Sequence, residues 1–211
     1  MKIVLGTRNQ HKIKEFKEEF AKINIEVVGL DEYLGNTEVP EPIEDGKTFQ
    51  ENSIIKAKYY YNLVKVPCLC DDSGLCVEAL DGAPGINSAR YSGGNDKDNR
   101  DLLRKNLEGN FPAKAYFNCD LIYYDGKDII STNGKIHGEI INEERGNDGF
   151  GYDSIFYNIE AASAMLLISK QLKSREVRLE QPLNISTMCV TLLVSNPFQL
   201  TEVRFVQPAN K

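Results

Sequence analysis

A chain of 211 residues that is 41% hydrophobic can bury a substantial core, so one α/β domain, or one domain with an extension, is expected instead of a disordered chain. Its net charge of −6 argues against a broad electrostatic hold on a nucleic acid polymer, which needs a basic face. No apolar run approaches bilayer length and Met1–Gly6 is too short for a secretory core, so the expectation is a soluble cytoplasmic protein with no membrane partner.

Ile3 to Leu5 reads as a short strand giving way to the polar turn Thr7-Arg8-Asn9, after which Ile13, Phe16, Phe20 and Ile23 recur at helical spacing. Ile25 to Leu30 reads as a second strand, and Pro40 and Pro42 place Glu38 to Pro42 in a loop. Thr48-Phe49-Gln50-Glu51 has the form of a capping box that opens a helix running to about Leu63. The mostly apolar stretch Val64 to Leu69 then reads as a buried strand with Cys70-Asp71-Asp72-Ser73-Gly74 at its end. Asn95 to Leu107 is an amphipathic helix closed by Gly109. Lys114 to Tyr124 and the segment from Asp128 form a hairpin around Asp125-Gly126, with Tyr116, Asn118, Asp120 and Ile122 facing away from Phe117, Cys119 and Leu121. Strands alternating with helices, followed by a hairpin, predict a mixed sheet with helices packed on it.

Near Tyr157 the composition breaks. All 16 glycines precede it, and Asn158 to Lys211 also lacks aspartate; this tail carries +2 against −8 for the preceding part. We therefore expect a domain over 1–157 and an atypical C-terminal tail over 158–211, consistent with a change of coding frame shortly after Tyr157.

Several short segments carry possible chemistry. Asp71 and Asp72 are adjacent carboxylates, which persist where a hard cation or a protonated partner offsets their charge; the same four residues Asp71 to Gly74 also suit a plain solvated turn. Thr7-Arg8-Asn9-Gln10-His11-Lys12 stands at a helix start, where unpaired N–H groups and a lysine favour a phosphate, although Asn9 is equally an ordinary N-cap. Glu44 lies just ahead of the second predicted helix and is either a dipole partner or, if folding brings it beside Asp72, a magnesium ligand. In Phe150-Gly151-Tyr152-Asp153 either ring offers a face for a planar base, or the loop is only turn and core. With His11 and His137 the sole histidines and five cysteines lacking paired zinc spacing, a His-rich metal site is excluded and reduced thiols are expected.

Taken in order, Thr7-x-Asn9-x-x-Lys12, Glu44-x-Gly46-x-Thr48-Phe49-x-Glu51-Asn52, Lys56-Ala57, Asp71-Asp72-Ser73-Gly74, Gly82-Ala83-Pro84-Gly85, Ser88-Ala89-Arg90-Tyr91 and Gly149-Phe150-Gly151-Tyr152-Asp153 resemble the non-canonical purine nucleoside triphosphate pyrophosphatase family, the inosine triphosphatases, from Met1 to about Phe156. The resemblance implies an elongated α/β fold with a long mixed sheet, two lobes around a central cleft, and a homodimer. It implies hydrolysis of ITP, dITP or XTP to monophosphate and pyrophosphate, cleansing the nucleotide pool. By matched position, Thr7, Arg8, Asn9, Gln10, His11 and Lys12 would cradle the triphosphate. Glu44 and Asp72 would hold Mg2+, Asp72 would activate water, Ser73 would touch substrate, and Phe150, Gly151, Tyr152 and Asp153 would line the base and sugar pocket.

Two departures stand out: Arg8 replaces a glycine often found there, and the tail lacks the Ser-His-Arg segment with which the family reads the purine, leaving only Lys173 near the place of an expected lysine. An impaired nucleotide-binding protein, retaining the triphosphate and metal site without base selectivity, is the alternative expectation.

Overall fold

Two helices grip opposite faces of one short strand, and that arrangement sets the position of everything else. The computed structural model describes residues 2–22, 24–35, 37–145 and 150–158. β1 (Lys2–Leu5) pairs in parallel with β2 (Glu26–Gly29) on one side and β3 (Cys68–Val77) on the other. Side chains alternate across a strand, so Ile3 and Leu5 meet α1 (Gln10–Ala21) through Ile13, Phe16 and Phe20. Val4 meets α3 (Phe49–Val64) on the other face, through Ala57, Tyr60 and Val64. Between them α2 (Leu30–Leu34) is a short helix that sequence periodicity did not indicate.

α4 (Asp96–Asn106) opens on a full capping box, with Asn95 and Asp98 each accepting from the other's backbone N–H, and buries Leu103. β4 (Ala113–Tyr124) and β5 (Ile129–Ile140) form the expected hairpin, and β6 (Phe156–Tyr157) closes a mixed six-stranded sheet in the order β2-β1-β3-β4-β5-β6. Asp125 holds the hairpin turn by accepting from the N–H groups of Lys127 and Asp128.

β3 is where the structure departs from the sequence reading. Val64 ends α3, Lys65 caps it in a left-handed conformation, and the strand runs through Asp71-Asp72-Ser73-Gly74 to Val77. The acids therefore stand inside a strand, not in a turn beyond one. Pairing with β4 covers all of β3, but pairing with β1 ends at Leu69. Among the described residues the polar stretch thus lies on an open strand edge beyond the C-terminal end of a parallel strand, the usual location of ligand sites in such sheets. It also divides the apolar core. Leu69 and Cys70 belong to the clusters under α1 and α3, whereas Leu75 and Val77 join Leu103, Leu107, Phe117, Ile140, Tyr152 and Ile155.

Cys68, Cys70 and Cys76 are free and buried, and burial pushes the Cys68 thiol up to about 12. Cys119 is buried on β4, and Cys189 lies outside the described residues. Among the described residues no helix is long and apolar enough to cross a membrane. The tail of 158–211, with its suggested change of frame and Lys173, lies outside the described residues apart from Asn158.

Candidate active site

Asn9 caps α1: its Oδ1 accepts from the N–H groups of His11 and Lys12 at 3.0 and 3.3 Å, and Thr7 Oγ1 accepts from Asn9 N–H at 3.2 Å. One turn into the helix, Lys12 reaches across the open edge of β3. Its Nζ donates to Asp71 Oδ2 at 2.5 Å and to Ser73 Oγ at 3.0 Å. Burial works to raise the Asp71 carboxyl, but the nearby Lys12 and Lys56 ammoniums outweigh it and hold the group below its ordinary value. Asp71 is an anion locked to α1.

Asp72 points to the opposite face, towards α3. Asn52 Nδ2 donates to its Oδ2 at 3.0 Å, and Lys56 Nζ lies 3.5 Å from its Oδ1. The same Lys56 Nζ lies 3.2 Å from Glu44 Oε2. Glu44 and Asp72, 28 residues apart in sequence, therefore converge on one cation. Burial acts most strongly to raise the Asp72 carboxyl; Lys56 and Asn52 oppose it, Glu44 and Asp71 add to it, and the net shift is upward. Burial alone would lower Lys56, but Asp72, Asp71 and Glu44 together raise it. It is a charged ammonium whose side chain is only 13% exposed.

Asn52, fully buried, ties the two halves together. Besides donating to Asp72, it accepts from Gly46 N–H at 2.9 Å, so the loop carrying Glu44 is pinned to the helix that faces β3. Gly46 suits this close approach because a Cβ there would stand 2.6 Å from Asn52 Oδ1 and 2.9 Å from Asn52 N. The Thr48 hydroxyl accepts from Glu51 N–H as a capping box requires, but Glu51 returns its own bond to Lys47 N–H. The roles of Asn52 and Lys56 were missed from sequence. The available signal was an amide and a lysine four residues apart on the buried stripe of α3 that also carries Ser53, Ala57 and Tyr60.

The other sequence-identified residues fall into two groups. Arg8 turns away from β3: its Nε donates to Asp31 at 3.1 Å and its Nη2 to Val39 O at 2.9 Å, lining an open cleft of 770 Å³ with Asp31, Thr37 and Pro40. Gln10 is exposed and donates to Arg8 O. His11 instead stacks on Phe150 at 5.9 Å between ring centroids, which brings the 150–153 loop over the start of α1. Tyr152 is buried in the core, and its hydroxyl donates to Ser88 O at 2.9 Å. Asp153 accepts from Phe150 N–H at 3.2 Å, closing the loop on itself, and burial raises its carboxyl.

Glu44 and Asp72 are the pair that could hold a hard divalent cation. They offer oxygen donors and two negative charges, and a protein cation stands between them. Among the described residues no group of three or more His, Cys, Asp or Glu side chains could hold a metal. That donor count fits an ion completed by water and substrate oxygens, not a closed structural centre. Next to it, the Lys12 ammonium at the positive end of α1 can receive phosphate, while Asp72 combines a raised proton affinity with partial access.

The Ham1 family matches residues 3–176 of this chain. The dITP/XTP pyrophosphatase of Desulfotalea psychrophila is 42% identical over 176 residues, covering 82% of this chain and 78% of that protein. That of Campylobacter jejuni subsp. jejuni is 42% identical over 165 residues, covering 74% and 80% respectively. Among solved structures, the Ham1 protein of Staphylococcus aureus superposes with a TM-score of 0.73 at 31% identity, over 96% of this chain and 100% of the other. A HAM1 protein from Coxiella burnetii gives 0.74 at 30% identity with the same coverage.

Proposed function

From the premise that this chain belongs to the Ham1 family, we propose that it hydrolyses deaminated purine nucleoside triphosphates, ITP, dITP and XTP, to the monophosphate and pyrophosphate with Mg2+ as cofactor. The observation that carries the proposal is the convergence of Glu44 and Asp72 on one cation position, across β3 from Lys12 and the capped start of α1. Two relatives named dITP/XTP pyrophosphatase support the substrate class.

In this reading the Asn9 side-chain amide N–H and the Lys12 ammonium, at the positive end of α1 and with Thr7 buttressing Asn9, receive the triphosphate oxygens. Ser73, already hydrogen-bonded to Lys12, presents its hydroxyl to the same phosphates. Glu44 and Asp72 would hold the Mg2+. When bound, that ion neutralises phosphate charge and lowers the pKa of water. Asp72 accepts the proton of the attacking water, a role suited to a carboxylate whose proton affinity burial has raised. Asp71 stays ionised beside Lys12 and keeps that lysine aimed. Phe150, Gly151, Tyr152 and Asp153 form the wall nearest the nucleobase, with Phe150 as the ring available to stack. Arg8, engaged with Asp31 and Val39, supports the loop from behind. The enzyme is proposed to act as a cytoplasmic homodimer, the dimer on grounds of family resemblance.

Incubation with ITP, XTP, ATP and GTP in parallel, with and without Mg2+, tests the proposal. Pyrophosphate release from ITP and XTP in the presence of Mg2+ is expected. Saturable ITP binding without product would instead describe an impaired nucleotide-binding protein.

A further inference from the structure

The 150–153 loop is held from outside by α4, a helix whose residues carry no part of the proposed phosphate or metal chemistry. Asp96 and Arg100 are four residues apart and so share one face of α4. Both close on the same residue of the loop: Asp96 Oδ2 accepts from Gly151 N–H at 2.9 Å, and Arg100 Nη1 donates to Gly151 O at 2.8 Å. Gly151 has a φ of +60°, a left-handed conformation that glycine adopts without strain but does not by itself hold. Two charge-assisted bonds to a single residue are what fix it. Arg100 is in turn set by Glu144, which also receives Arg104.

A second tether runs to the acids. Tyr152 O–H donates to Ser88 O, and Ser88 Oγ accepts from Leu75 N–H at 2.9 Å, two residues beyond Ser73 on β3. The loop is therefore registered against the acid-bearing strand through Tyr152 and against α4 through Gly151. Phe150, between these anchors and His11, takes its orientation from both.

We infer that Asp96 and Arg100 are positioning residues for nucleobase recognition: by gripping both polar backbone groups of Gly151 they hold Phe150 over the start of α1, so that binding of the purine, and not of the phosphates, depends on them. This rests on the function proposed above. Losing the clamp releases a loop with a left-handed glycine while leaving Lys12, Glu44, Asp71 and Asp72 in place.

The test compares wild type with Arg100→Met, Arg100→Lys and Asp96→Asn. The readouts are ITP kinetics, the inhibition constant of inorganic tripolyphosphate as a base-free competitor, and amide hydrogen exchange. For Arg100→Met the KM for ITP should rise on the order of tenfold with kcat little changed, as expected for loss of about one charge-assisted hydrogen bond. The tripolyphosphate constant should stay within about twofold of wild type, a difference of under 0.5 kcal/mol. Arg100→Lys should recover part of the loss, and exchange should quicken at Phe150–Asp153 but not at Asp71–Ser73. A parallel weakening of ITP and tripolyphosphate, or an unchanged KM, would overturn the inference. If wild type forms no pyrophosphate from ITP, the functional reading fails separately. The clamp is then decided by exchange alone, unchanged protection at Phe150–Asp153 in Arg100→Met refuting it.

Discussion

Replacing Lys56 with methionine removes the one ammonium that Glu44 and Asp72 share while keeping an unbranched chain of similar length. At 3.2 and 3.5 Å, and an effective dielectric near 20, each carboxylate attracts the ammonium by about 5 kcal/mol. Methionine forgoes that attraction but also escapes the several kcal/mol needed to desolvate an ammonium. Buried pairs broken on one side lose about 3–5 kcal/mol, and the partial exposure of Glu44, 27%, places this case near the lower end. We expect Lys56→Met to lower the unfolding free energy of the cation-free protein by about 3 kcal/mol. With a urea slope near 2–3 kcal/mol/M, the midpoint then falls by about 1–1.5 M.

A divalent cation competes for the same two carboxylates, so it should restore more stability to the variant than it adds to wild type. At roughly 100 times its dissociation constant the recovery is about 2.7 kcal/mol. Urea titrations of both proteins, with and without Mn2+ or Mg2+, provide the assay. A midpoint shift below about 0.3 M, or equal stabilisation of both proteins by the cation, would refute the claim that Lys56 balances this pair.

Asp72→Asn should lower kcat for ITP by about 10²–10⁴-fold, as loss of a general base does, when assayed below the onset of its own urea transition; a variant retaining a tenth of the activity would exclude Asp72 as the base. Asn52→Ala deletes the amide that accepts from Gly46 and donates to Asp72, and thermal unfolding should show a loss of about 2–3 kcal/mol together with weaker cation binding in calorimetry. The stability gap between wild type and Lys56→Met should be widest near neutral pH. Lys56 has a folded pKa raised above 10.5, so its contribution is fully present below 10.5 and lost as pH rises through the raised value. At the acid end Asp72, raised above 3.8, takes a proton and no longer needs a counter-ion, so the gap narrows there too; urea midpoints across pH that show a constant gap would contradict this.

How far the sequence led depended on whether local patterns and tertiary placement agreed. Ile13, Phe16 and Phe20 form a stripe that helical periodicity identifies, and the alternation from Lys114 to Tyr124 follows directly from strand geometry. Asp71 to Gly74 misled because each residue favours turns; only the end of β1 pairing at Leu69, a tertiary fact, lets an open strand edge accept two carboxylates. Glu44 and Asp72 came from matched motifs, whereas the ammonium that joins them came from Lys56, which in isolation looks like an ordinary helical lysine. The Asp96 and Arg100 grip on Gly151 was not legible, since it depends on a contact across more than fifty residues between a helix and a turn.

The most direct test of the central claim is hydrolysis of ITP by the wild-type protein in ¹⁸O-labelled water with Mg2+, followed by mass analysis of every product. Inosine monophosphate and unbroken pyrophosphate are predicted, in equal amounts, with the label confined to one of them. Inosine diphosphate with free orthophosphate, or the same product yield from Asp72→Asn, would contradict it.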